Sequence, residues 1–371
     1  MCSDSPSHLG RLRMPTTKAK LAATLLSVVF VLALLPGCGS GQTALTIYHA
    51  GSLSVPLETL EKMFEEEHPE VDVLRESGGS ATMISRSITR EEAGEAPPDI
   101  IVSADYTLIP GRLYEPGYAD WTIVFAKNRM VLCYRDHAPF AEDIVASTRT
   151  WYDVLRNEDV RWGHSDPDDD PCGYRSLMVF QLAQEFYFDD AATFGNTPDE
   201  NASGLYDACV PGTDEERGRV TEGRQVVRSK SVDLIEQLQS GDLDYAFEYS
   251  SVAVQHGINY IELDDAVNLS QTGYIGDSGV TYADLYARAS VRLETSPGEY
   301  STKSGKAIVY GITITKNAPN ADLAAKFVAF LLSNTGKQVF EGDNGQPFVT
   351  PAQCDKPSNL PSSLRDIVVP M

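Results

Sequence analysis

The segment 170–178, DPCGYRSLM, combines residue types that suit an anion-binding helix start. Asp170 is a favoured N-cap residue, and Pro171 is favoured at the first helical position. The apolar residues from Leu177 onward predict a mostly buried helix. A helix N-terminus carries unpaired N–H groups and a partial positive charge, so it binds oxyanions without a basic side chain. Taken alone, the segment predicts either an oxyanion site or an ordinary capped helix.

Two more segments place small hydrogen-bond donors where a strand turns into a helix, 50–53 (AGSL) and 78–81 (GGSA). The apolar strand predicted over 244–249 (DYAFEY) ends near the carboxylate of Glu248. Ligands of doubly wound sheets bind outside the carboxyl ends of the strands. We therefore expect these groups at one edge, where three similar turns favour a shared oxyanion site over unrelated caps.

The elements that must hold these groups alternate between strands and helices. The predicted strands are 45–50, 71–74, 99–104, 124–134 and 307–315. A helix follows each of the first two strands, and this β-α-β-α-β order predicts a doubly wound α/β layer. The long strand-like runs 124–134 and 307–315 enclose a second α/β region. Within that region, residues 188–222 are interpreted as an acidic surface insertion.

Composition limits the partners and the kind of anion site. A chain of 371 residues is long enough for two lobes with proper cores. Its 30 Lys and Arg against 53 Asp and Glu give a formal net charge of −23. This acidity argues against nucleic acid and against an anionic membrane surface as partners. It also opposes long-range attraction of anions, so an anion site must be built locally from backbone dipoles and hydroxyl groups.

Residues 1–38 are interpreted as an export signal. Basic residues precede an apolar run from Leu21 to Leu35, and Cys38 follows a small residue, as in the lipobox of lipoproteins. Lipidation of Cys38 is predicted, with an uncleaved membrane anchor as the alternative. In both cases the remaining chain is extracytoplasmic and tethered to the outer face of the cell membrane by the linker 39–44.

Four cysteines follow the predicted signal: Cys133, Cys172, Cys209 and Cys354. An even number in an oxidising compartment predicts two disulfides, with three possible pairings. Free thiols are the alternative. The spacing of these cysteines matches no zinc site.

Five segments together resemble the archaeal-type tungstate/molybdate-binding proteins, the extracytoplasmic receptors of ABC importers. The resemblance extends from about Leu45 to Phe340 and rests on 49–56, 102–110, 118–121, 166–175 and 244–249. It implies an α/β, two-lobed periplasmic-binding-protein fold of type II-like organisation. Each lobe is expected to hold a doubly wound, mostly parallel sheet, with crossover strands at a hinge. The expected lobes are 45–125 with about 307–371, and 126–306.

The same resemblance implies which residues bind the ligand. The two Gly-Ser turns supply hydrogen bonds, the Asp-Pro-Cys motif and the Glu-Tyr strand supply carboxylates, and Asp166 is an alternative to the first carboxylate. The second turn departs from the family by reading GGS where AGS is commoner, which removes no donor. The implied oxyanion-binding residues are Gly51, Ser52, Ser80, Asp170, Cys172, Glu248 and Tyr249.

Two carboxylates beside a dianion need an explanation, since like charges repel. Mo(VI) and W(VI) are hard centres for which six-oxygen coordination is accessible. Asp170 and Glu248 are therefore expected to bind the metal and complete an octahedron. Sulfur and phosphorus cannot expand in this way, so the carboxylates would select against sulfate and phosphate. The alternative for Glu248 is a solvated carboxylate or one paired with Arg175.

The function implied is capture of tungstate or molybdate by a monomer that uses no cofactor and delivers the anion to an ABC transporter permease. One rival is a receptor for another oxyanion or for ferric iron, for which Tyr245 and Tyr249 are possible ligands. The other is an extracellular enzyme, although the chain has no G-x-S-x-G, H-E-x-x-H or P-loop motif. His49 is interpreted as a packed strand residue and not a catalytic base.

Overall fold

Three β-sheets, two large ones and one of two strands, organise residues 41–371, which the computed structural model describes apart from Glu222 and Asp343. The predicted signal, Cys38 and the start of the predicted linker lie outside these residues. The strands, in chain order, are β1 Thr43–Ala50, β2 Val71–Gly78, β3 Ile100–Ser103, β4 Ile123–Lys127, β5 Met130–Tyr134, β6 Trp162–Ser165, β7 Gln225–Arg228, β8 Tyr245–Tyr249, β9 Asn259–Glu262, β10 Ser290–Ser296, β11 Glu299–Ser304, β12 Val309–Ile314, β13 Phe348–Cys354 and β14 Val369–Pro370.

Helices cover the sheets and fill the connections between strands. The α-helices are α1 Ser54–Glu67, α2 Ser80–Glu92, α3 Leu108–Leu113, α4 Ala141–Val145, α5 Trp151–Arg156, α6 Pro171–Gln184, α7 Leu205–Cys209, α8 Asp233–Ser240, α9 Ser250–His256, α10 Tyr282–Tyr286, α11 Ala321–Leu331, α12 Asn334–Glu341 and α13 Ser362–Arg365. Within the described ranges, none of the helices has the length and apolar character needed to span a membrane.

The first sheet has the strand order β14-β13-β4-β12-β3-β1-β2, and the second has β7-β6-β8-β5-β9. The strands β10 and β11 pair antiparallel in a separate two-stranded sheet. Parallel pairing joins β1 to β2 and β3, and β6 to β7 and β8. Antiparallel pairing occurs where β4, β5 and β12 join their sheets. The carboxyl ends of the parallel strands lead into α1, α2 and α6, as the predicted α/β order requires.

The hydrophobic core lies where the apolar faces of the helices pack against these sheets. All four residues of β3 are buried, which is typical of a strand covered on both faces. Leu57, Leu60 and Phe64 recur at helical spacing in α1 and are at most 1% exposed. The Phe64 ring lies 5.1 Å from Phe327 of α11, so the first and a late helix pack on the same sheet.

The predicted long strand 124–134 is wrong as one element. The structure divides it into β4 and β5, which belong to different sheets, with Asn128 and Arg129 between them. The Asn128 N–H donates to the Ile308 carbonyl at 3.2 Å, one residue before β12 begins. The outgoing and returning connections between the two sheets therefore lie side by side.

Two other expectations need correction. The four cysteines are free and buried, so the prediction of two disulfides is wrong. Residues 188–222 include α7, whose Leu205 and Cys209 are buried, so this acidic insertion contributes to the core.

Candidate functional site

The first Gly-Ser turn connects β1 to α1 through a 3-10 helix, Gly51–Leu53. Ser52 is 4% exposed, and its Oγ lies 3.0 Å from the hydroxyl of Tyr310 on β12. A Cβ added at Gly51 would lie 3.2 Å from the side chain of Val232, at the start of α8. The turn from the first sheet thus lies directly against an element of the second.

The second turn places Ser80 at the first residue of α2, where it is 1% exposed. Its Oγ accepts a hydrogen bond from the Ala104 N–H at 3.0 Å. The Ala81 N–H donates to the Asp169 carbonyl at 3.2 Å. A Cβ at Gly79 would overlap that same carbonyl, so glycine permits the close approach. This turn therefore contacts the segment that leads into α6.

Asp170 caps α6 as its sequence context predicts. Its Oδ1 accepts from the Cys172 N–H at 3.1 Å, and its Oδ2 accepts from the Ser231 N–H at 2.9 Å. The carboxylate is 6% exposed, and burial raises its pKa. The Cys172 N–H, predicted to face the ligand, is used by this cap in the structure.

Glu248 lies in β8 with no exposed surface. Its Oε2 accepts from the Tyr249 N–H at 2.6 Å and lies 3.5 Å from the Cys172 thiol. Its Oε1 is buried and has no hydrogen-bond partner among the described residues. Burial, together with the nearby charge of Asp170, raises the pKa of Glu248 to about 8. Asp170, Cys172 and Glu248 thus form one buried acidic cluster.

The alternative that Glu248 pairs with Arg175 is wrong. The buried Arg175 guanidinium donates to the Tyr249 hydroxyl at 2.7 Å and to the Ala104 carbonyl at 2.9 Å. The Ala104 N–H binds Ser80 and the Ala104 carbonyl binds Arg175, so these two residues link the second turn to Tyr249. The structure thereby connects predicted site residues of both sheets.

The two acidic candidates near α6 differ in their contacts. Asp166 is only partly buried, and its Oδ1 accepts from the Asp168 N–H at 2.9 Å. Burial raises the pKa of Asp166 to about 6. Asp170, in contrast, contacts Cys172 within the acidic cluster. The geometry favours Asp170 as the carboxylate of this site.

His49 is buried in β1, with Nδ1 2.8 Å from the Ala50 carbonyl. A carbonyl only accepts, so Nδ1 carries the proton in this contact. Burial lowers the pKa of His49 to about 4, and the ring is neutral near pH 7. These contacts agree with a packed strand residue.

Two residues that the sequence does not single out contact predicted site residues: Ser231, whose N–H binds Asp170, and Tyr310, whose hydroxyl lies next to Ser52. Ser231 follows β7 and repeats the pattern of a serine after a strand, so this signal was available. Tyr310 contacts Ser52, and burial and the charge of Glu248 contribute to its raised pKa. Tyr310 therefore contacts the first turn, and its ring centroid lies 6.0 Å from that of Tyr249, without a local sequence signal.

Taken together, the buried hydroxyl groups of Ser52 and Ser80 and the carboxylates of Asp170 and Glu248 come from strand ends of both sheets. Hydroxyl groups donate to the oxygens of an anion, whereas carboxylates require a positive centre or a proton. The arrangement can therefore hold a small ligand that offers both acceptor oxygens and a hard cationic centre.

Comparison with known proteins places this geometry in a family context. The family described as bacterial extracellular solute-binding protein matches residues 45–343. A protein of Pyrococcus abyssi named molybdate/tungstate-binding protein WtpA is 36% identical over 361 residues, covering 94% of this chain and 98% of the relative. A solute-binding protein of Methanoculleus marisnigri is 41% identical over 319 residues, covering 84% of this chain and 83% of the relative.

A solved structure gives the same picture of the fold. The substrate binding protein of an ABC transporter from Agrobacterium tumefaciens has a TM-score of 0.50 at 16% identity, covering 84% of this chain and 80% of that chain. This similarity concerns the fold alone. With the family match, the predicted α/β, two-lobed periplasmic-binding-protein fold is confirmed.

Proposed function

Because the chain belongs to the bacterial extracellular solute-binding protein family, we propose that it captures tungstate or molybdate outside the cell and delivers it to an ABC import permease. The relative from Pyrococcus abyssi, matched over 94% of this chain, is named for binding these two anions. We propose binding and release without catalysis.

The buried acidic cluster carries the proposal. A carboxylate oxygen with no hydrogen-bond partner, such as Oε1 of Glu248, is unfavourable in a buried site. A phosphate or sulfate would add repulsion to this cost. A hard Mo(VI) or W(VI) centre would instead accept the carboxylate oxygen as a ligand. The unpartnered oxygen therefore supports an oxyanion whose central atom can bind additional oxygens.

In the proposed complex, Ser52 and Ser80 donate to the oxyanion, with backbone donors from Gly51, Cys172 and Tyr249. Asp170 and Glu248 raise the coordination of the metal from four oxygens to six. For the Cys172 and Tyr249 N–H groups to contribute, their hydrogen bonds to Asp170 and Glu248 must weaken when those carboxylates turn to the metal. Closure of the lobes 45–125 with about 307–371, and 126–306, would bring these groups together.

We further propose that residues 1–38 direct export and that Cys38 carries a lipid anchor. The receptor would then act as a monomer at the outer face of the membrane. Mass spectrometry of the membrane fraction tests this part: a diacylglycerol mass on Cys38 supports it, and an unmodified or absent Cys38 in the mature chain contradicts it.

Calorimetric titration of the domain 41–371 tests the ligand. We expect tungstate and molybdate to bind with 1:1 stoichiometry, and sulfate and phosphate to bind far more weakly. X-ray absorption at the metal edge should report six-coordinate metal. Preferential binding of sulfate, phosphate or ferric iron would contradict the proposal, and a tetrahedral metal spectrum would contradict the role of the two carboxylates.

A further inference from the structure

A buried chain of hydrogen bonds connects the junction between β4 and β5 to Ser52. Asn128 Nδ2 lies 3.1 Å from the Tyr310 hydroxyl, which lies 3.0 Å from Ser52 Oγ. Asn128 and Ser52 are 3% and 4% exposed, and Tyr310 is fully buried. This chain joins the connection between the two sheets to a proposed anion donor.

The direction of the chain begins at the Asn128 amide. Its Oδ1 accepts from the backbone N–H of Arg129 at 3.0 Å. A backbone N–H can only donate, so the amide oxygen must face it and Nδ2 must face Tyr310. An amide nitrogen can only donate, so the Tyr310 oxygen accepts this bond.

The next link follows from the single hydroxyl proton of Tyr310. Among the described residues, two polar atoms lie within hydrogen-bond distance of the Tyr310 hydroxyl: Asn128 Nδ2, which donates to it, and Ser52 Oγ. If Ser52 donated to Tyr310, the Tyr310 proton would be buried without an acceptor, which is unfavourable. Tyr310 therefore donates to Ser52, and the Ser52 proton remains available for a ligand.

Ser80 shows the same arrangement through a different partner. Its Oγ accepts from the Ala104 N–H at 3.0 Å, which leaves its own proton available. Both serines thus have an acceptor position filled by a neighbouring donor. A hydroxyl held in this way suits a ligand that presents acceptor oxygens.

We propose that Asn128 and Tyr310 are positioning residues that orient the Ser52 hydroxyl as a donor toward the bound oxyanion. This inference rests on the proposed function and adds a directed hydrogen-bond chain to it. Without Tyr310, the Ser52 proton could turn toward other acceptors, and part of the anion's hydrogen bond would be lost.

A double-mutant cycle tests the chain. Tungstate affinity is measured by calorimetry for the parent, Ser52→Ala, Tyr310→Phe and the double variant. If Tyr310 acts through Ser52, each single change should weaken binding about tenfold, and the double change also about tenfold. A hundredfold loss in the double variant, or parental affinity for Tyr310→Phe, would overturn the inference.

A matched control separates this role from general loss of a buried hydroxyl. Tyr286 is also fully buried, and its hydroxyl donates to the Asp265 carbonyl at 2.5 Å. Tyr286→Phe should retain parental affinity. If it weakens binding as much as Tyr310→Phe does, the effect is structural and the inference fails.

Asn128→Asp tests the direction of the chain. A carboxylate would accept the Tyr310 proton, so Ser52 would donate to Tyr310 and not to the anion. Asn128→Asp should weaken tungstate binding in two ways, by this reversal and by the added negative charge. In the Tyr310→Phe background the reversal cannot occur, so Asn128→Asp measured there gives the effect of the charge alone. An equal loss in both backgrounds would overturn the inference.

The outcomes also separate this inference from the proposed function. If the parent binds sulfate or phosphate in preference to tungstate and molybdate, the proposed function fails, and the cycle is measured with the anion that binds. If the parent binds tungstate but the cycle is additive, only the directed chain fails. A parent that binds none of these anions overturns both.

Discussion

The Tyr174 hydroxyl donates to Asp105 Oδ2 at 2.6 Å and so joins α6 to the turn that follows β3. Lys303, from β11, forms an ion pair with the same carboxylate. Although burial opposes it, the charges of Lys303 and Arg175 lower the pKa of Asp105. The segment 102–110, which contributed to the family resemblance, thus anchors a contact between elements of the two sheets.

Asp105→Asn should lower the free energy of unfolding at pH 7 by about 3 kcal/mol, because it leaves the partly buried Lys303 charge without its partner. The pKa of Asp105 is lower in the folded state than in the unfolded state, where it is near 3.8. Its carboxylate therefore stabilises the fold at pH values above about 3.8, and this contribution is lost as the pH falls. The difference between parent and variant should therefore decrease below about pH 4. Urea unfolding at several pH values measures it.

The exposed pair of Glu58 and Lys62 supplies the control. Glu58→Gln should change stability by less than about 1 kcal/mol, since exposed ion pairs contribute little. An equally small loss of stability for Asp105→Asn would show that the contact between Asp105 and Lys303 does not stabilise the folded domain.

Glu248→Gln should reverse the selectivity of the receptor. The substitution removes a metal ligand, so tungstate and molybdate affinity should fall by at least tenfold, about 1.4 kcal/mol. Sulfate affinity should stay constant at pH 7, where the Glu248 carboxyl group is mostly protonated, and increase above about pH 8, where the substitution removes a negative charge. Competition calorimetry measures both. Asp170→Asn should act in the same direction while retaining much of its capping role. Unchanged tungstate affinity in Glu248→Gln would contradict metal coordination.

Binding should release protons near neutral pH. The pKa of Glu248, raised from 4.5 to about 8 by burial, means that the carboxyl group is mostly protonated at pH 7 before the ligand arrives. Metal coordination requires the carboxylate, so affinity should increase with pH until about pH 8. Calorimetry in buffers of different ionisation enthalpy should show about one proton released at pH 7. No proton release in the parent, or equal release from Glu248→Gln, would contradict this.

The same shift affects the stability of the ligand-free protein. A carboxyl group whose folded pKa is raised stabilises the fold below its unfolded pKa, and this contribution is lost as the pH rises. For Glu248 the decline should extend from about pH 4.5 to about pH 8. Glu248→Gln should remove this decline and be the more stable protein at pH 8, as urea unfolding would show. If the stability of Glu248→Gln declined between pH 4.5 and pH 8 as steeply as that of the parent, or more steeply, this prediction would be wrong.

Gly79→Ala should hinder closure, because the new methyl group would overlap the Asp169 carbonyl of the facing segment. The two segments must separate, so tungstate affinity should fall at least tenfold and the radius of gyration of the ligand-bound state should increase. Calorimetry and small-angle scattering measure these effects. Gly111→Ala is the matched control, since a Cβ at Gly111 meets no atom within 4 Å. Equal behaviour of the two variants would contradict a closed contact at Gly79.

The sequence predicts those parts of the site that depend on local signals. Asp170 caps α6 because a short polar side chain before Pro171 reaches the free N–H groups of the same turn. Ser80 likewise lies at the start of its helix, next to the end of a strand. These residues are recognised by neighbours within a few positions, so one segment is enough to identify them.

Long-range contacts explain what the sequence does not predict. Tyr310 meets Ser52 across 258 positions, and a tyrosine within a strand pattern carries no sign of that partner. The break at Asn128 separates β4 from β5, although the apolar pattern continues on both sides. The disulfide prediction failed for the same reason, because an even number of cysteines says nothing about which thiols come together.

The four buried thiols make the described domain a reporter of its own opening. Cys133, Cys172, Cys209 and Cys354 lie in the interior, so a thiol reagent reaches them only after the surrounding structure separates. The rate of thiol alkylation would therefore report how often the domain opens, without an engineered probe. Folding of this domain also requires no oxidant, so it can be produced in a reducing cytoplasm and retain the same covalent structure.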